Sequence, residues 1–302
     1  MILYIKNALM QKPETERRTS MKSREEFVSE DSEYFVYSPS RTAFDVFLYP
    51  LQCGRFLYKP GYSLKRDSYD SFLIMYIQKG ELDLEIEGRN YHVHSNSFIL
   101  LDCYAGHAYS SPAGCECLWC HYDGTMARDY YGIVTSHLGN VFTLSDPCPA
   151  LSKLSSIYHI FRTGAVVREP LLSKYLNDIM TEFMLYLPNT KNARNYFNTA
   201  EEIITYINEH FTEEIRVSDL AAKAGLSHYY FIRTFKRETG FTPHEYILNT
   251  RIAAAQYLLK NTKLSIKDIC YQTGFSCESI FCSAFKRRSG MTPTQYRTFP
   301  VS

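Results

Sequence analysis

Phe235-Lys236-Arg237-Glu238-Thr239-Gly240-Phe241-Thr242-Pro243 returns fifty positions later as Phe285-Lys286-Arg287-Arg288-Ser289-Gly290-Met291-Thr292-Pro293. A second matched piece precedes each copy: Ser218-Asp219-Leu220-Ala221…Gly225-Leu226-Ser227, then Lys267-Asp268-Ile269-Cys270…Gly274-Phe275-Ser276. The repeated unit has the spacing of a helix-turn-helix. A small residue (Ala221 or Cys270) sits under the helix crossing. A Gly four positions on (Gly225 or Gly274) supplies the turn, because it tolerates positive φ. An apolar residue six further on (Phe231 or Ile280) anchors the second helix. Ser227 and Ser276 stand where that helix needs an N-cap. Apolar stripes follow at helical spacing: Phe231, Ile232 and Phe235, then Ile280, Phe281, Ala284 and Phe285. Thr242-Pro243-His244-Glu245 and Thr292-Pro293-Thr294-Gln295 read as capping boxes with Pro at the first helical position. The first box opens a helix through about Asn261, with Tyr246, Ile247, Ala254 and Leu258 on its apolar side. That helix is expected to link the two units rigidly.

Charge separates a DNA reader from a helical bundle made by duplication. Residues 217–302 hold 12 Lys+Arg against 5 Asp+Glu, a net of +7, whereas residues 1–216 hold 21 against 27, a net of −6. The formal total of +1 hides a basic tail and an acidic body. A basic surface attracts polyanions at long range and supplies most of the nonspecific affinity for DNA.

Residues 199–297 resemble the DNA-binding domain of AraC/XylS-type transcription regulators. The resemblance rests on two Gly-turn units and on Phe-Lys-Arg-x-x-Gly-x-Thr-Pro occurring twice, closing on Tyr246 and Tyr296. It implies two recognition helices in successive major-groove segments, about 34–36 Å apart along one DNA face. The first is expected at about His228–Thr239, with base-contact positions on Tyr229, Ile232 and Arg233. Arg233 suits the O6 and N7 of guanine, and Tyr229 and Ile232 suit thymine methyl groups. Ile232 fits a core position equally well. Lys236 and Arg237 are expected on phosphate. The second recognition helix is expected at about Cys277–Ser289. It departs from the family pattern, with Cys282 and Ser283 where a small polar residue and an Arg are common. Glu278 and Ser279 remain as base readers, and Lys286, Arg287 and Arg288 are expected to clamp the backbone.

The front of the chain reads differently. Residues 1–32 are expected to be a flexible tail: Met1–Met10 is too short and too interrupted to span a bilayer, and Gln11–Ser32 is polar. No signal-peptide cleavage site follows, and Met21 is a plausible start. From about Arg41 to Gly124 the apolar pattern has period two. Its clearest stretch is Gly80–Gly88, with Leu82, Leu84 and Ile86 on one face and Glu81, Asp83, Glu85 and Glu87 on the other, between two Gly turns. Further strands are expected at Arg55–Tyr58, Phe72–Ile77, Tyr91–His94, Phe98–Asp102, His107–Ser110 and Cys117–Tyr122. The spacing implies a small antiparallel barrel or jelly roll, with a two-sheet sandwich lacking a cavity as the alternative.

This region resembles the cupin-like ligand-sensing domain joined to such DNA readers, on Tyr76-Ile77…Gly80, Ser97–Asp102, His107 with Tyr109, and Trp119-Cys120-His121-Tyr122-Asp123-Gly124. The resemblance implies a sugar pocket near Arg66, His107, Tyr109 and Trp119. His92-Val93-His94 has the spacing of some metal-dependent cupin enzymes. Ser97, Phe98 and Ile99 stand where their carboxylate is needed, and alternation turns both His outward, so no metal, cofactor or catalytic site is expected. Cys115, Cys117, Cys120 and His121 are dense enough to suggest zinc. On a strand, however, Cys120 faces away from the other two thiols, and buried thiols in a reducing cytoplasm are the plainer reading.

Leu151–Phe161 and Leu171–Leu187 read as amphipathic helices, followed by a polar hinge at Pro188–Asn195 and a cap at Thr199-x-x-Glu202. The expected fold is therefore α+β and multidomain. An antiparallel cupin-like β-barrel (33–124) follows the tail (1–32), then a helical connector with dimerisation helices (125–198), then an all-α domain with two helix-turn-helix units (199–302). The expected function is a cytoplasmic, homodimeric transcription regulator, an activator, that binds double-stranded DNA, responds to a carbohydrate effector and contacts RNA polymerase, with no membrane partner. The alternatives are an effector-independent DNA-binding regulator and a metal-dependent cupin enzyme.

Overall fold

The structure is a computed structural model that describes residues 21–23, 25–186 and 197–299. It divides into two compact units, residues 1–187 and 188–302. Residues 1–20 and the expected hinge at 188–195 lie outside the described residues.

The first unit runs β1 (Glu33–Val36), α1 (Arg41–Val46), β2 (Tyr49–Tyr58), β3 (Tyr62–Arg66), β4 (Phe72–Ile86), β5 (Arg89–His94), β6 (Phe98–Asp102), β7 (His107–Ser111), β8 (Cys115–Asp123), α2 (Ala127–Leu138), β9 (Val141–Phe142), α3 (Cys148–Arg162) and α4 (Glu169–Leu185). All strand pairings are antiparallel. The first half of β4 pairs with β8 and β6 in a sheet ordered β1-β2-β8-β4-β6-β9, and its second half pairs with β5 and β7, which in turn pairs with β3.

The expected break at Gly80 is absent. β4 is one fifteen-residue strand that bends from one sheet into the other there. Gly80 has φ +78°, and a Cβ on it would meet the Gly114 carbonyl oxygen at 2.2 Å, so only glycine fits this crossing. The true turn is Glu87-Gly88, with φ 50° and 74°.

Side-chain alternation sends β4, β6 and β8 into two cores. Leu73, Met75, Ile99, Leu101, Cys117 and Trp119 face the barrel interior, with Leu82, Leu84 and Val93 from the second sheet. Ile74, Tyr76, Phe98, Leu100, Cys120 and Tyr122 face the other way, into a core shared with α2, α3 and α4. Burial on both faces explains the continuous apolar runs at 72–77 and 98–101, which a half-exposed strand would not carry. The apolar side of α4 (Leu172, Leu176, Ile179, Met180, Phe183) is spent in this core. Residues 25–32 also differ from a loose tail: Val28 is buried and bridges Tyr58, and Ser32 Oγ accepts from the Leu57 amide at 2.9 Å.

Among the described residues the second unit is all helical: α5 (Phe197–His210), α6 (Val217–Lys223), α7 (His228–Thr239), α8 (Pro243–Asn261), α9 (Ile266–Gln272), α10 (Glu278–Ser289) and α11 (Pro293–Thr298). Because α5 begins at Phe197, Thr199 falls inside its first turn rather than at its cap. Both capping boxes form, Thr242 with Glu245 and Thr292 with Gln295. Ile203, Ile207, Leu220, Phe231, Phe235 and Ile247 make one core; Ile252, Ala255, Leu259, Ile269, Phe281 and Phe285 make another. Helix α8 enters both, through Ile247 at one end and Ile252, Ala255 and Leu259 further on; Ala254 and Leu258 are only half-buried. Tyr246 packs edge-on against Phe235, and Tyr296 against Phe285, at 5.7 and 5.4 Å between ring centres.

The second unit of the repeat carries one extra residue between its turn and its second helix. Cys277, not Ser276, is therefore the N-cap of α10, and Phe281, not Ile280, is the anchor: Phe281 is fully buried while Ile280 is 55% exposed. Ser227 caps α7 by position, but its hydroxyl makes no capping bond.

The α9–α10 turn is wedged against the loop after α5. A Cβ on Gly274 would meet Phe211 O at 2.7 Å, and Arg251 donates to Phe211 O at 2.8 Å and to Glu213 O at 2.7 Å. Around Gly225 the same space is open. Gly225→Ala should therefore cost only its backbone strain, about 1–2 kcal/mol. Gly274→Ala should cost ~1–3 kcal/mol more through overpacking. Denaturant unfolding of the two variants measures the difference, and equal losses would remove the wedge.

Candidate DNA-reading face and ligand cavity

In the helical unit, the sequence dictates which side of each second helix is free. Phe231, Thr234 and Phe235 hold α7 to its core, as Phe281, Ala284 and Phe285 hold α10. With 3.6 residues per turn, the opposite face of α7 then carries Tyr229, Arg233, Lys236 and Arg237. All four are exposed, Tyr229 by 79%. The equivalent face of α10 carries Ser279, Ser283, Lys286 and Arg287, also exposed, with Glu278 at its first turn and Arg288 alongside. Ile232 and Cys282 sit on the shoulder of each helix, half-buried and packed against the core edge. The position that sequence alone left between core and surface is thus part of both.

Each helix ends on a left-handed glycine, Gly240 or Gly290, with Lys236 or Lys286 on the turn before it. Cations in the last turn suit the helix dipole, so the basic cluster is stabilised in place before any partner binds. The repeat therefore presents two faces of the same layout and unequal chemistry. The α7 face offers an aromatic ring and a guanidinium for base edges; the α10 face offers short hydroxyls and a carboxylate above a basic end.

In the barrel unit, Arg66, Tyr109 and Trp119 line one cavity of about 260 Å³. β3 places Arg66, β7 places Tyr109 and β8 places Trp119. Phe56, Tyr58, Tyr62, Met75 and His121 share the wall, with Glu25 and Tyr34 at its N-terminal side. His107 does not line the cavity. It lies opposite Arg66 across β3 and β7, its Nδ1 3.0 Å from the Ala105 carbonyl oxygen and its ring parallel to that of Tyr109. His121, which the resemblance does not put in the pocket, shares the Trp119 face of β8 by alternation and joins the wall.

The wall is aromatic with a few aimed polar groups. Tyr58 and Tyr62 stack at 3.9 Å, and Phe56 meets Trp119 edge-on at 5.1 Å. The Tyr62 hydroxyl donates to Glu25 at 2.9 Å. The Arg66 guanidinium lies 4.9 Å over the Tyr69 ring. Burial raises the hydroxyl pKa of Tyr58, Tyr62 and Tyr109, so all three remain proton donors. Burial, then the charges of Arg66 and His107, lowers the His121 pKa to about 3, leaving a neutral imidazole whose Nδ1 is 2.8 Å from Ser71 Oγ. Trp119 Nε1 is buried with no hydrogen-bond partner among the described residues. A buried indole N–H left unpaired is costly.

An antiparallel barrel enclosing such a cavity, together with a duplicated helix-turn-helix of basic outer face, defines a ligand-binding DNA-binding regulator. The profile of the AraC-like ligand binding domain matches residues 49–173, and that of the helix-turn-helix domain matches residues 220–298. The Msm operon regulatory protein of Streptococcus mutans is 27% identical over 252 residues, 78% of this chain and 87% of its own. The transcriptional activator RhaS of Escherichia coli is 28% identical over 122 residues, 39% of this chain and 44% of its own. The C-terminal domain of the response regulator yesN from Fusobacterium nucleatum is 35% identical over 33% of this chain and 98% of its own, with a TM-score of 0.32.

The chain belongs to the AraC family of DNA-binding transcription regulators with an N-terminal ligand-binding domain. The relatives are regulators of transcription. No helix among the described residues is long and apolar enough to cross a membrane.

His121 gives a pH test of the barrel. Its folded pKa, about 3, lies below the ordinary 6.5. The unfolded chain therefore takes up a proton that the folded barrel refuses, and this contribution, fully present above pH 6.5, is lost as pH falls toward 3. His121→Gln should flatten the fall in unfolding midpoint across that range, measured by thermal melts at stepped pH. An unchanged slope would place His121 outside the buried wall.

Proposed function

We propose that this regulator reads spaced half-sites on duplex DNA as a cytoplasmic homodimer, and raises transcription through RNA polymerase when a carbohydrate occupies the barrel cavity. The observation that carries the DNA reading is the pair of matched exposed faces, Tyr229/Arg233/Lys236/Arg237 on α7 and Ser279/Ser283/Lys286/Arg287 on α10. On α7, Arg233 pairs with the O6 and N7 of a guanine, Tyr229 lies against a thymine methyl, and Ile232 adds apolar contact from the shoulder. Lys236 and Arg237 hold phosphates. On α10, Lys286 and Arg287 clamp the backbone. Glu278, accepting from cytosine N4, and the short side chains Ser279, Cys282 and Ser283 add weaker discrimination.

The cavity wall supports the effector class. At about 260 Å³ it is smaller than most drug-sized pockets, which start near ~300 Å³. A monosaccharide fits a wall of stacked rings, tyrosine donors and the Arg66 guanidinium. Trp119 and Tyr109 offer flat apolar faces to the C–H side of a pyranose, while Arg66 donates to its hydroxyls. His107 stands outside the lining, beside Tyr109 on the same face of β7. The sugar shifts the regulator toward its activating state only by binding that state more tightly. Dimerisation and polymerase contact rest on membership of the family.

Selection of bound sites from random duplexes, repeated with a panel of sugars, tests the whole reading. Arg233→Ala should cost about 1–3 kcal/mol on the selected site and relax one base position. Lys286→Ala should weaken all sequences alike and reduce the salt slope by about 1. Equal, sequence-independent losses for both would remove Arg233 as a reader. An effector should raise the unfolding midpoint by mass action. Arg66→Ala and Trp119→Ala should abolish that rise while leaving DNA selection by the helical unit intact. If no sugar shifts the midpoint of the unaltered chain, the carbohydrate assignment falls.

A further inference from the structure

His92 and His94 lie two residues apart on β5, and alternation turns both outward while Val93 between them is fully buried. The carboxylates absent downstream in sequence stand on the neighbouring strand. In the β4–β5 register Glu81 is opposite His94 and Asp83 is opposite His92. Leu82 and Leu84 fix the inward face of β4, so Glu81 and Asp83 share the outward face with both imidazoles. The two-residue turn at Glu87-Gly88, with both φ angles positive, pins the register at Ile86 and Arg89.

The side chains converge further than register alone requires. His92 Nδ1 is 2.6 Å from Asp83 Oδ1, and His92 Nε2 is 3.2 Å from Glu81 Oε2. His94 Nδ1 approaches the same Glu81 oxygen at 3.8 Å, and the ligand atoms of Glu81, His92 and His94 all lie within 4.8 Å of one another. Ligands around a tetrahedral zinc ion, at bond lengths near ~2.0–2.1 Å, stand on the order of 3.4 Å apart. The three groups are exposed enough to close that difference by small side-chain rotations.

We propose that the outward face of the β4–β5 hairpin is a binding site for a divalent cation of the zinc class. His92 Nε2, His94 Nδ1 and the Glu81 carboxylate are its ligands, and a fourth position stays open to water. Asp83 is a positioning residue: by accepting the Nδ1 proton of His92 it fixes the tautomer that presents Nε2 as a lone pair. That lone pair then faces a carboxylate oxygen, an unfavourable pairing unless a cation lies between them. Two imidazoles and one carboxylate favour zinc, nickel or copper over magnesium or calcium, which prefer all-oxygen shells. The bound ion ties β5 to β4 on the solvent side of the barrel. The rival occupant is a second proton on His92, whose pKa the Asp83 hydrogen bond already raises.

The test is zinc titration by calorimetry of the full chain, stripped with a chelator and kept reduced, paired with thermal unfolding. The unaltered chain should take up a zinc equivalent and melt higher with zinc. His94→Ala and Glu81→Gln should each weaken that uptake at least about tenfold, and Asp83→Asn by about tenfold through the lost orientation of His92. These positions are solvent-facing, so the variants should keep the unfolding midpoint of the zinc-free chain. Magnesium should produce neither uptake nor a shift. Absence of zinc uptake leaves the proton as occupant and overturns the proposal. Uptake unchanged in both His94→Ala and Glu81→Gln assigns the ion to the thiols and overturns it equally.

Discussion

Burial of one shared element on two sides governs each half of the chain. In the helical unit that element is α8, whose Ile247 completes the first core and whose Ile252, Ala255 and Leu259 build the second. A helix that belongs to both cores cannot turn relative to either without opening one of them. The Arg251 bonds to Phe211 and Glu213 and the close approach of Gly274 to Phe211 add a second tie. The spacing of α7 and α10 is therefore set by packing rather than by a linker. That is the property a reader of two groove segments needs, because the protein then does not spend binding free energy on ordering its two halves.

In the barrel unit the shared elements are β4 and β8. Their inward side chains form the cavity wall and interior, and their outward side chains form the seat of α2, α3 and α4. Trp119 and Tyr122, three positions apart on β8, thus look into different cores. A change in the cavity wall reaches the helical layer through one strand thickness. This gives the proposed effector a short physical route from the cavity to the outer helices, with no rearrangement of topology. The bend of β4 at Gly80 makes the two sheets a single body, because the same strand supplies hydrogen bonds to both.

Much of this was legible in the chain because it is written locally. The capping boxes at Thr242 and Thr292, the turns at Gly225 and Gly274, and the alternation of Leu82, Leu84 and Ile86 depend on residues within one turn or one strand. The differences between sequence and structure have separate causes. Gly80 looked like a turn because a glycine beside a charged run usually is one; its actual role, clearing the Gly114 carbonyl, involves a residue thirty-four positions away. Ile280 and Ser276 were assigned by a rigid count from the first unit, and a single extra residue after Gly274 moved both roles one place, to Phe281 and Cys277. The family resemblance puts His107 at the cavity, whereas its Nδ1 lies against the Ala105 carbonyl oxygen and it is not among the lining residues. His121 was overlooked because its alternation partner, Trp119, was the more conspicuous residue.

The sequence by itself determined the duplicated helix-turn-helix, the antiparallel character of the barrel, and which face of each element is apolar. Those properties follow from periodicity, capping and charge, all of which are short-range along the chain. Tertiary structure alone decided which distant side chains meet. It set Arg66, Tyr109, Trp119 and His121 around one space and bound α8 to two cores. Register between strands distant in the chain and contact between helices depend on the closing of the whole fold, whereas the Glu87-Gly88 turn sets the β4–β5 register locally.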